Sequence, residues 1–367
     1  MTKELSVKRE RNYGIDLLRM VSMILVAVLH VLGQGGVISE AGKHTPFNAY
    51  KVAWFLEIAA FCAVNCYAAI SGYVGIKSKF KYSNIIYLWL QVFFYTGLTT
   101  LIFGIFYPDL VGKEQIFAAF FPVMKSQYWY FTAYFCMFFF TPLMNIAVDK
   151  LPRRQMRAII AALVIIFSVL PLVFKLNIFG NPVGDVFWTS GGYNAVWLSV
   201  VYVIGAYISK YKCFENVHAV WFFILFLLSS LLTFLCMFEV EGGGNLVSYT
   251  SPTILLNGIC LLIGFSKLSL KPLAKVIGFM SPLAFSVYII HVHPLTWGKF
   301  MLNSCTEIGK LSPFMLALAV IGAALALYLV CSAIDLVRFY LFKLLHVKEG
   351  LETLEKKVCK DLWTKAE

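Results

Sequence analysis

The sequence is poor in charge. Charged residues make up 14% of its 367 residues and hydrophobic residues 60%, whereas a typical soluble domain contains about 25% charged and about 45–50% apolar residues. The longest polar stretch follows Leu345, and nothing before it is polar enough to fold as a separate soluble domain. The composition excludes a soluble enzyme held by a single anchor and predicts an all-α, polytopic integral membrane protein.

Acidic residues are particularly few. The chain has 19 Asp and Glu against 31 Lys and Arg, a formal net charge of +12. A basic balance can indicate nucleic-acid binding, but no nucleic-acid motif is present. The positive residues lie in short connections between apolar runs, where membrane proteins collect cytoplasmic positive charge. We therefore expect no nucleic-acid partner.

The sequence also lacks a disulfide framework and a metal motif. Six of its nine cysteines fall within apolar runs, and Cys305 is the only one that we place in an outer loop. Cys62 and Cys66 lie one helical turn apart, but a buried cysteine usually acts as a small apolar residue. We expect neither a disulfide nor a bound metal.

What the sequence does contain is a series of ten apolar runs. A helix crosses the hydrocarbon core with about 20 mostly apolar residues. The predicted spans are residues 12–36, 51–73, 84–106, 127–148, 158–174, 193–208, 218–238, 251–265, 276–295 and 312–337. We predict one ten-helix transmembrane domain over residues 1–345, surrounded by membrane lipids, and a short tail with basic and acidic residues over 346–367.

The distribution of positive charge orients this domain. An even number of spans places both termini on one side. Of the 31 Lys and Arg, 24 lie in the termini and even-numbered connections and seven in the odd-numbered ones. Because short cytoplasmic segments carry the excess of Lys and Arg, we predict that both termini are cytoplasmic.

Three ionisable residues share one face of the first span. Arg19 and His30 are eleven residues apart, close to three helical turns and roughly 16 Å along the axis. Asp16 precedes Arg19 by three positions and can pair with it. Ionisable residues inside a span usually face a bundle interior or a water-filled cavity. On spacing alone, Arg19 can equally be a snorkelling anchor and His30 an interfacial residue.

Short motifs accompany this Arg-to-His spacing. Together with the ten-helix layout, they resemble the membrane acyltransferase-3 family, whose first helix typically carries arginine, ten residues and then histidine. The resemblance covers nearly the whole chain and is to the short, stand-alone type. The further matching elements are Gly14-Ile15-Asp16 before Arg19, Ser71-Gly72-Tyr73 at the end of the second span, and Tyr288, His291 and Pro294 in a late helix.

The resemblance implies an O-acyltransferase of the bacterial plasma membrane. Such an enzyme moves an acyl group, often acetyl from acetyl-CoA, to a hydroxyl of a cell-envelope glycan or lipid-linked sugar. The chain departs from the family at Lys79 and Lys81, where an arginine pair is common. Lysine meets a phosphate as a point charge, without the bidentate fork of arginine.

The residues of the first span suit this chemistry. An imidazole titrates near neutral pH, so His30 can take the acceptor's hydroxyl proton or carry the acyl group transiently. Arg19, Lys79 and Lys81 can bind the anionic CoA donor. Asp16 completes the predicted catalytic set, with the role of orienting or neutralising Arg19.

Five further residues are candidates for substrate binding: Glu57, Ser71, Trp129, Tyr130 and His291. Each also has an ordinary structural interpretation. Glu57 can orient His30 or be a solvated interfacial carboxylate, and Ser71 can permit close helix packing. The two aromatic residues can stack on a sugar or form an interfacial belt. His291 can line the acceptor site or be a hydrogen-bonded structural histidine.

Two other functions fit a polytopic protein. A permease or exporter for a small polar solute or a glycan intermediate is the principal alternative. Transporters often show paired, Gly/Pro-interrupted spans in two related halves, and we find no such pairing in the sequence. A non-catalytic scaffold leaves the Arg19–His30 face unexplained.

Overall fold

The computed structural model describes residues 11–44, 48–176 and 187–358. These residues form helices and no strand, so the all-α prediction is confirmed for the described chain. The first nine helices are α1 (Tyr13–Leu32), α2 (Val37–Ala41), α3 (Asn48–Ala60), α4 (Ala63–Gly75), α5 (Tyr82–Phe106), α6 (Lys113–Phe120), α7 (Trp129–Lys150), α8 (Arg153–Val164) and α9 (Leu170–Lys175). The others are α10 (Ala195–Tyr211), α11 (Ala219–Glu239), α12 (Pro252–Ser266), α13 (Ala274–Met280), α14 (Ala284–His291), α15 (Pro294–Thr296), α16 (Pro313–Leu344) and α17 (Val347–Val358).

The membrane-spanning character of the chain is confirmed. Among the described residues, eight helical segments are long and apolar enough to cross a bilayer, and α10 and α12 are shorter apolar helices. These ten segments coincide with the ten predicted spans. Helix α10 is buried on most of its surface, as is typical of a helix that is apolar all round.

Three of the long segments are interrupted, which the sequence analysis did not predict. Helices α3 and α4 make up the second span with a break between them, and α13 and α14 make up the ninth. In the fifth span, a π-helical turn over Ile165–Val169 precedes Pro171. Proline has no backbone N–H to donate, so a local change of helical winding at this point has a direct cause.

Helices α4 and α10 cross so closely that their backbones are in contact. A Cβ atom added at Gly72 would lie 1.9 Å from the Tyr202 carbonyl oxygen, and one added at Gly205 would lie 2.1 Å from that of Ala69. Each helix therefore contributes one glycine at the point where the other's backbone approaches. Small residues allow this approach between membrane helices, so the Ser-Gly-Tyr element has a packing role through Gly72.

The tail predicted after residue 345 begins with a helix. Helix α17 covers Val347–Val358 and packs against α5. The end of the tail, residues 359–367, lies outside the described residues, as does the N-terminal segment 1–10.

The crossing of α4 and α10 gives a stability prediction. Gly72→Ala should lower the free energy of unfolding by about 1–3 kcal/mol, because the new methyl group meets backbone that has no room to move. Thermal unfolding in detergent measures this loss. Gly97→Ala is the matched control, since a Cβ at that α5 position meets nothing within 4 Å. Equal unfolding temperatures for the two variants would contradict the close crossing.

Candidate active site

One face of helix α1 connects two cavities. Arg19, Met23, Val26 and His30 follow one another at spacings of four, three and four residues, which places them on one side of a helix. Arg19 lines a wide cavity at one end. Met23, Val26 and His30 line a narrow cavity towards the other end. The single face predicted from the spacing of Arg19 and His30 therefore looks into the bundle interior.

The cavity at the Arg19 end has a volume of about 350 Å³. Its lining comes from α1, α4, α5, α7, α10 and the connection between α4 and α5. All three cations predicted to bind the donor, Arg19, Lys79 and Lys81, line this cavity. Residues that are far apart in sequence thus form one basic recess, which we call the Arg19 cavity.

Asp16 holds Arg19 from the preceding turn. The Arg19 Nη1 atom donates to Asp16 Oδ1 at 2.5 Å, and Arg11 donates from its Nε to the other carboxylate oxygen. The Asp16 side chain is buried, whereas that of Arg19 is 33% exposed. Two guanidinium groups share one buried carboxylate, so the cluster of Arg11, Asp16 and Arg19 keeps a net positive charge, and Arg19 presents it to the cavity.

The cavity at His30 is narrow and mostly aromatic. Its volume is about 40 Å³. Besides the residues of α1, it is lined by an aromatic set that comprises Tyr67, Trp129, Tyr130, Tyr249, Phe285 and Tyr288. The predicted pair of Trp129 and Tyr130 therefore lies beside His30, in what we call the His30 cavity.

His30 is hydrogen-bonded to a second histidine. Its Nδ1 lies 2.8 Å from Nε2 of His291, and the other ring nitrogen of His291, Nδ1, bonds to the Val287 carbonyl. A carbonyl only accepts, so His291 carries its proton on Nδ1 and presents a bare Nε2. In the neutral pair His30 must donate from Nδ1, which leaves its own Nε2 unprotonated. This nitrogen has the lone pair that a general base needs.

His291 is a partner of His30 rather than part of the cavity wall. It is buried and is not among the described residues that line the His30 cavity. The Trp297 ring is perpendicular to the His30 ring, with ring centroids 4.9 Å apart. The orientation of the His30 imidazole is therefore constrained by residues from a different part of the sequence.

Two other candidates, Ser71 and Glu57, are not among the described residues that line the His30 cavity. Ser71 lines the Arg19 cavity, and its hydroxyl donates to the Tyr67 carbonyl at 2.9 Å. Glu57 does not line either cavity. Its Oε2 atom is buried and has no hydrogen-bond partner among the described residues. It lies close enough to act electrostatically on Tyr249, whose pKa is raised by burial and by the neighbouring Tyr193 and Glu57.

Tyr67 is common to the two cavities and was not predicted from the sequence as a site residue. It lines both of them, and its hydroxyl donates to the backbone carbonyl of Arg19 at 2.8 Å. Its ring centroid lies 6.0 Å from that of Tyr130. One signal was available in the sequence, because Tyr67 stands one helical turn before Ser71 and so shares its face of α4.

Tyr249 was also missed, and its position depends on tertiary contacts. The buried Asn65 side chain donates to the Tyr249 carbonyl and accepts from the indole N–H of Trp197, both at 2.9 Å. These bonds fix the loop before α12 against α4 and α10. A tyrosine in a loop carries no periodicity that would place it at the site.

The polar groups of the site are nitrogen and oxygen atoms of dispersed side chains. Among residues 11–44, 48–176 and 187–358, no group of three or more His, Cys, Asp or Glu is placed to hold a metal ion. What the arrangement offers is a basic recess for an anion, an imidazole with a free lone pair, and aromatic walls between and around them. This set is suited to the transfer of a group from an anionic carrier to a neutral acceptor.

The fold and this site define an integral membrane protein with two cavities on one face of α1, and comparison with known families specifies its class. The family model described as an acyltransferase domain matches residues 12–334. The chain therefore belongs to the acyltransferase-3 family, and it is a membrane acyltransferase. The resemblance drawn from the sequence motifs is confirmed. No curated protein and no solved structure matches the chain.

The hydrogen bond between the two histidines gives a prediction about protonation. In protein with ¹⁵N-labelled histidine, neutral His30 should carry its proton on Nδ1, because His291 offers only an acceptor. Substitution His291→Ala should return His30 towards a mixture of tautomers, while the exposed His44 should give the same signals in both proteins. A proton on Nε2 of His30 in the unsubstituted protein would contradict the assignment.

Proposed function

We propose that this membrane acyltransferase moves an acetyl group from acetyl-CoA, bound at the Arg19 cavity, to a sugar hydroxyl at the His30 cavity. The acceptor is a cell-envelope glycan or lipid-linked sugar. The protein lies in the plasma membrane of a bacterial cell, and the Arg19 end of α1 and both chain termini face the cytoplasm. The observation that carries the proposal is the face of α1, on which Arg19 and His30 each line a cavity, together with Tyr67, which lines both cavities.

The chemistry follows from the tautomer of His30. Its Nε2 takes the proton of the acceptor hydroxyl as the hydroxyl oxygen bonds to the thioester carbonyl carbon. The carbon–sulfur bond then breaks, and the proton passes from His30 to the departing thiolate of CoA. His291 accepts from Nδ1 of His30 throughout, so it orients the base and stabilises the imidazolium that forms.

The donor is anionic, and the Arg19 cavity provides its counter-charges. Arg19 supplies a directional guanidinium for a phosphate group, and Lys79 and Lys81 supply point charges. The flexible arm of CoA then follows the α1 face past Met23 and Val26 to His30. Because Tyr67 lines both cavities, its ring has to move aside for the acetyl group to reach the base.

The walls of the His30 cavity suit an acetyl group and a sugar. The cavity volume of about 40 Å³ is little more than that of a water molecule, about 30 Å³, so the cavity has to widen when the acetyl group and the sugar enter. The faces of Trp129 and Tyr130 are suited to stacking on a sugar ring. The mostly aromatic lining also keeps water away from the thioester, which reduces hydrolysis of the donor. The alternative of a permease or exporter has no corresponding observation in its favour.

Two substitutions separate the roles of donor binding and catalysis. His30→Ala should lower turnover by about 10²–10⁴-fold, the usual contribution of a general base, and leave acetyl-CoA affinity unchanged. Arg19→Ala should weaken acetyl-CoA binding by about tenfold or more, as expected for loss of a charged contact. Acetyl transfer and saturable acetyl-CoA binding by the purified protein in detergent measure the two effects.

Matched controls are available for both substitutions. His44→Ala and Arg154→Ala remove an exposed histidine and an exposed arginine that do not line either cavity, and both should behave as the unsubstituted protein. Full turnover in His30→Ala would refute the role of the base. Uptake of a solute by a protein without acetyl-CoA affinity would support the permease instead.

A further inference from the structure

Helix α17 brings two carboxylates to the start of helix α5. Glu352 accepts a hydrogen bond from the Lys81 ammonium group at 3.0 Å. Glu355 accepts from the backbone amides of Tyr82 at 2.6 Å and Ser83 at 3.2 Å. The two glutamates stand three residues apart on one face of α17. The end of the described chain is therefore attached to the first turn of a helix some 270 residues earlier.

The groups that these carboxylates contact are those that an anionic ligand would use. Lys81 lines the Arg19 cavity. The first amides of a helix point outwards and carry the positive end of the helix dipole, so they bind phosphate and carboxylate groups. A lysine next to the first two amides of a helix, at the edge of a basic cavity, would form a phosphate contact if α17 were absent. The carboxylates of α17 occupy this place.

The contact between α17 and α5 is of a kind that can open. The side chains of Lys81 and Glu352 are 43% and 32% exposed, and ion pairs this accessible to solvent contribute little to stability. The hydrogen bond from Lys81 lowers the pKa of the Glu352 carboxyl, so this group is ionised at neutral pH. The glutamates also lie beyond residues 12–334, the part of the chain that matches the family model.

We propose that α17 is an autoinhibitory latch. Glu352 and Glu355 occupy the positions at Lys81 and at the first amides of α5 to which phosphate groups of the donor bind. The inference rests on the proposed function, because the competing ligand is the CoA donor. In the latched state two negative charges lie at the rim of the Arg19 cavity and oppose the approach of an anion. Binding of the donor displaces the carboxylates and releases α17 from α5.

The test uses the full-length chain with Glu352→Gln and Glu355→Gln combined. Glutamine keeps a side-chain oxygen that can accept from the α5 amides, so the fold should persist, and thermal unfolding checks this. Acetyl-CoA should bind about three- to tenfold more tightly to this variant, because the competing charge is gone. Glu349→Gln is the matched control, since it removes the same charge from α17 at a position without these contacts and should leave affinity unchanged.

A double-mutant cycle links the effect to the lysine. In a Lys81→Ala background, Glu352→Gln alone should tighten acetyl-CoA binding by much less than it does in the unsubstituted chain, because its partner is missing. A gain of the same size in both backgrounds would show that Glu352 acts through general charge, and the latch would be refuted.

The other outcomes separate the latch from the proposed function. Measurable acetyl-CoA binding of equal strength in the unsubstituted protein and the double glutamine variant would refute the latch and leave the proposed function standing. Weaker binding in that variant would show that α17 builds the donor site instead of blocking it. If no protein in the set bound acetyl-CoA, the proposed function would fail and the latch with it.

Discussion

The pairing of Arg19 with Asp16 is the interaction on which the site depends. A charged side chain in a spanning helix is costly unless it faces a polar interior or a water-filled cavity. Asp16 neutralises part of this charge from one turn away, and the partly exposed guanidinium of Arg19 lines an open cavity instead of facing lipid. Since Arg11 bonds to the same carboxylate, the cluster stays cationic. An arginine that α1 must keep out of lipid is thus turned towards the cavity where we propose that the anionic donor binds.

The same constraint, that a polar side chain inside the bundle needs a partner, applies at the His30 end of α1, where the partner is a second histidine. The polar atoms of His30 require partners inside an apolar bundle, and His291 supplies one. Because the Val287 carbonyl fixes the proton of His291, the partner also selects the tautomer of His30. A requirement of burial therefore leaves one lone pair of the imidazole available for chemistry. Tyr67 lines both the cavity at this histidine and the basic recess at Arg19.

Much of this arrangement could be predicted from sequence, because it is periodic. The ten spans follow from runs of apolar residues, and the shared face of Arg19 and His30 follows from 3.6 residues per turn. The pairing of Asp16 with Arg19 follows from a spacing of three. The motif Ser71-Gly72-Tyr73 was found, and one of its two interpretations, close helix packing, is realised by Gly72 against α10.

The remaining features depend on contacts between distant segments. His291 meets His30 across 261 residues, and Glu352 meets Lys81 across 271. No local pattern encodes such separations, so a single sequence could propose the residues but not their partners. The position of Tyr67 in the lining of both cavities also depends on such contacts.

The most direct test of the account is a structure of the protein with a non-hydrolysable acetyl-CoA analogue. The account predicts phosphate groups against Arg19, Lys79 and Lys81, a displaced Tyr67 ring, and the acetyl carbonyl carbon beside Nε2 of His30. An analogue bound with its acetyl end outside the His30 cavity, or a Tyr67 ring that still closes the way to it, would contradict the account.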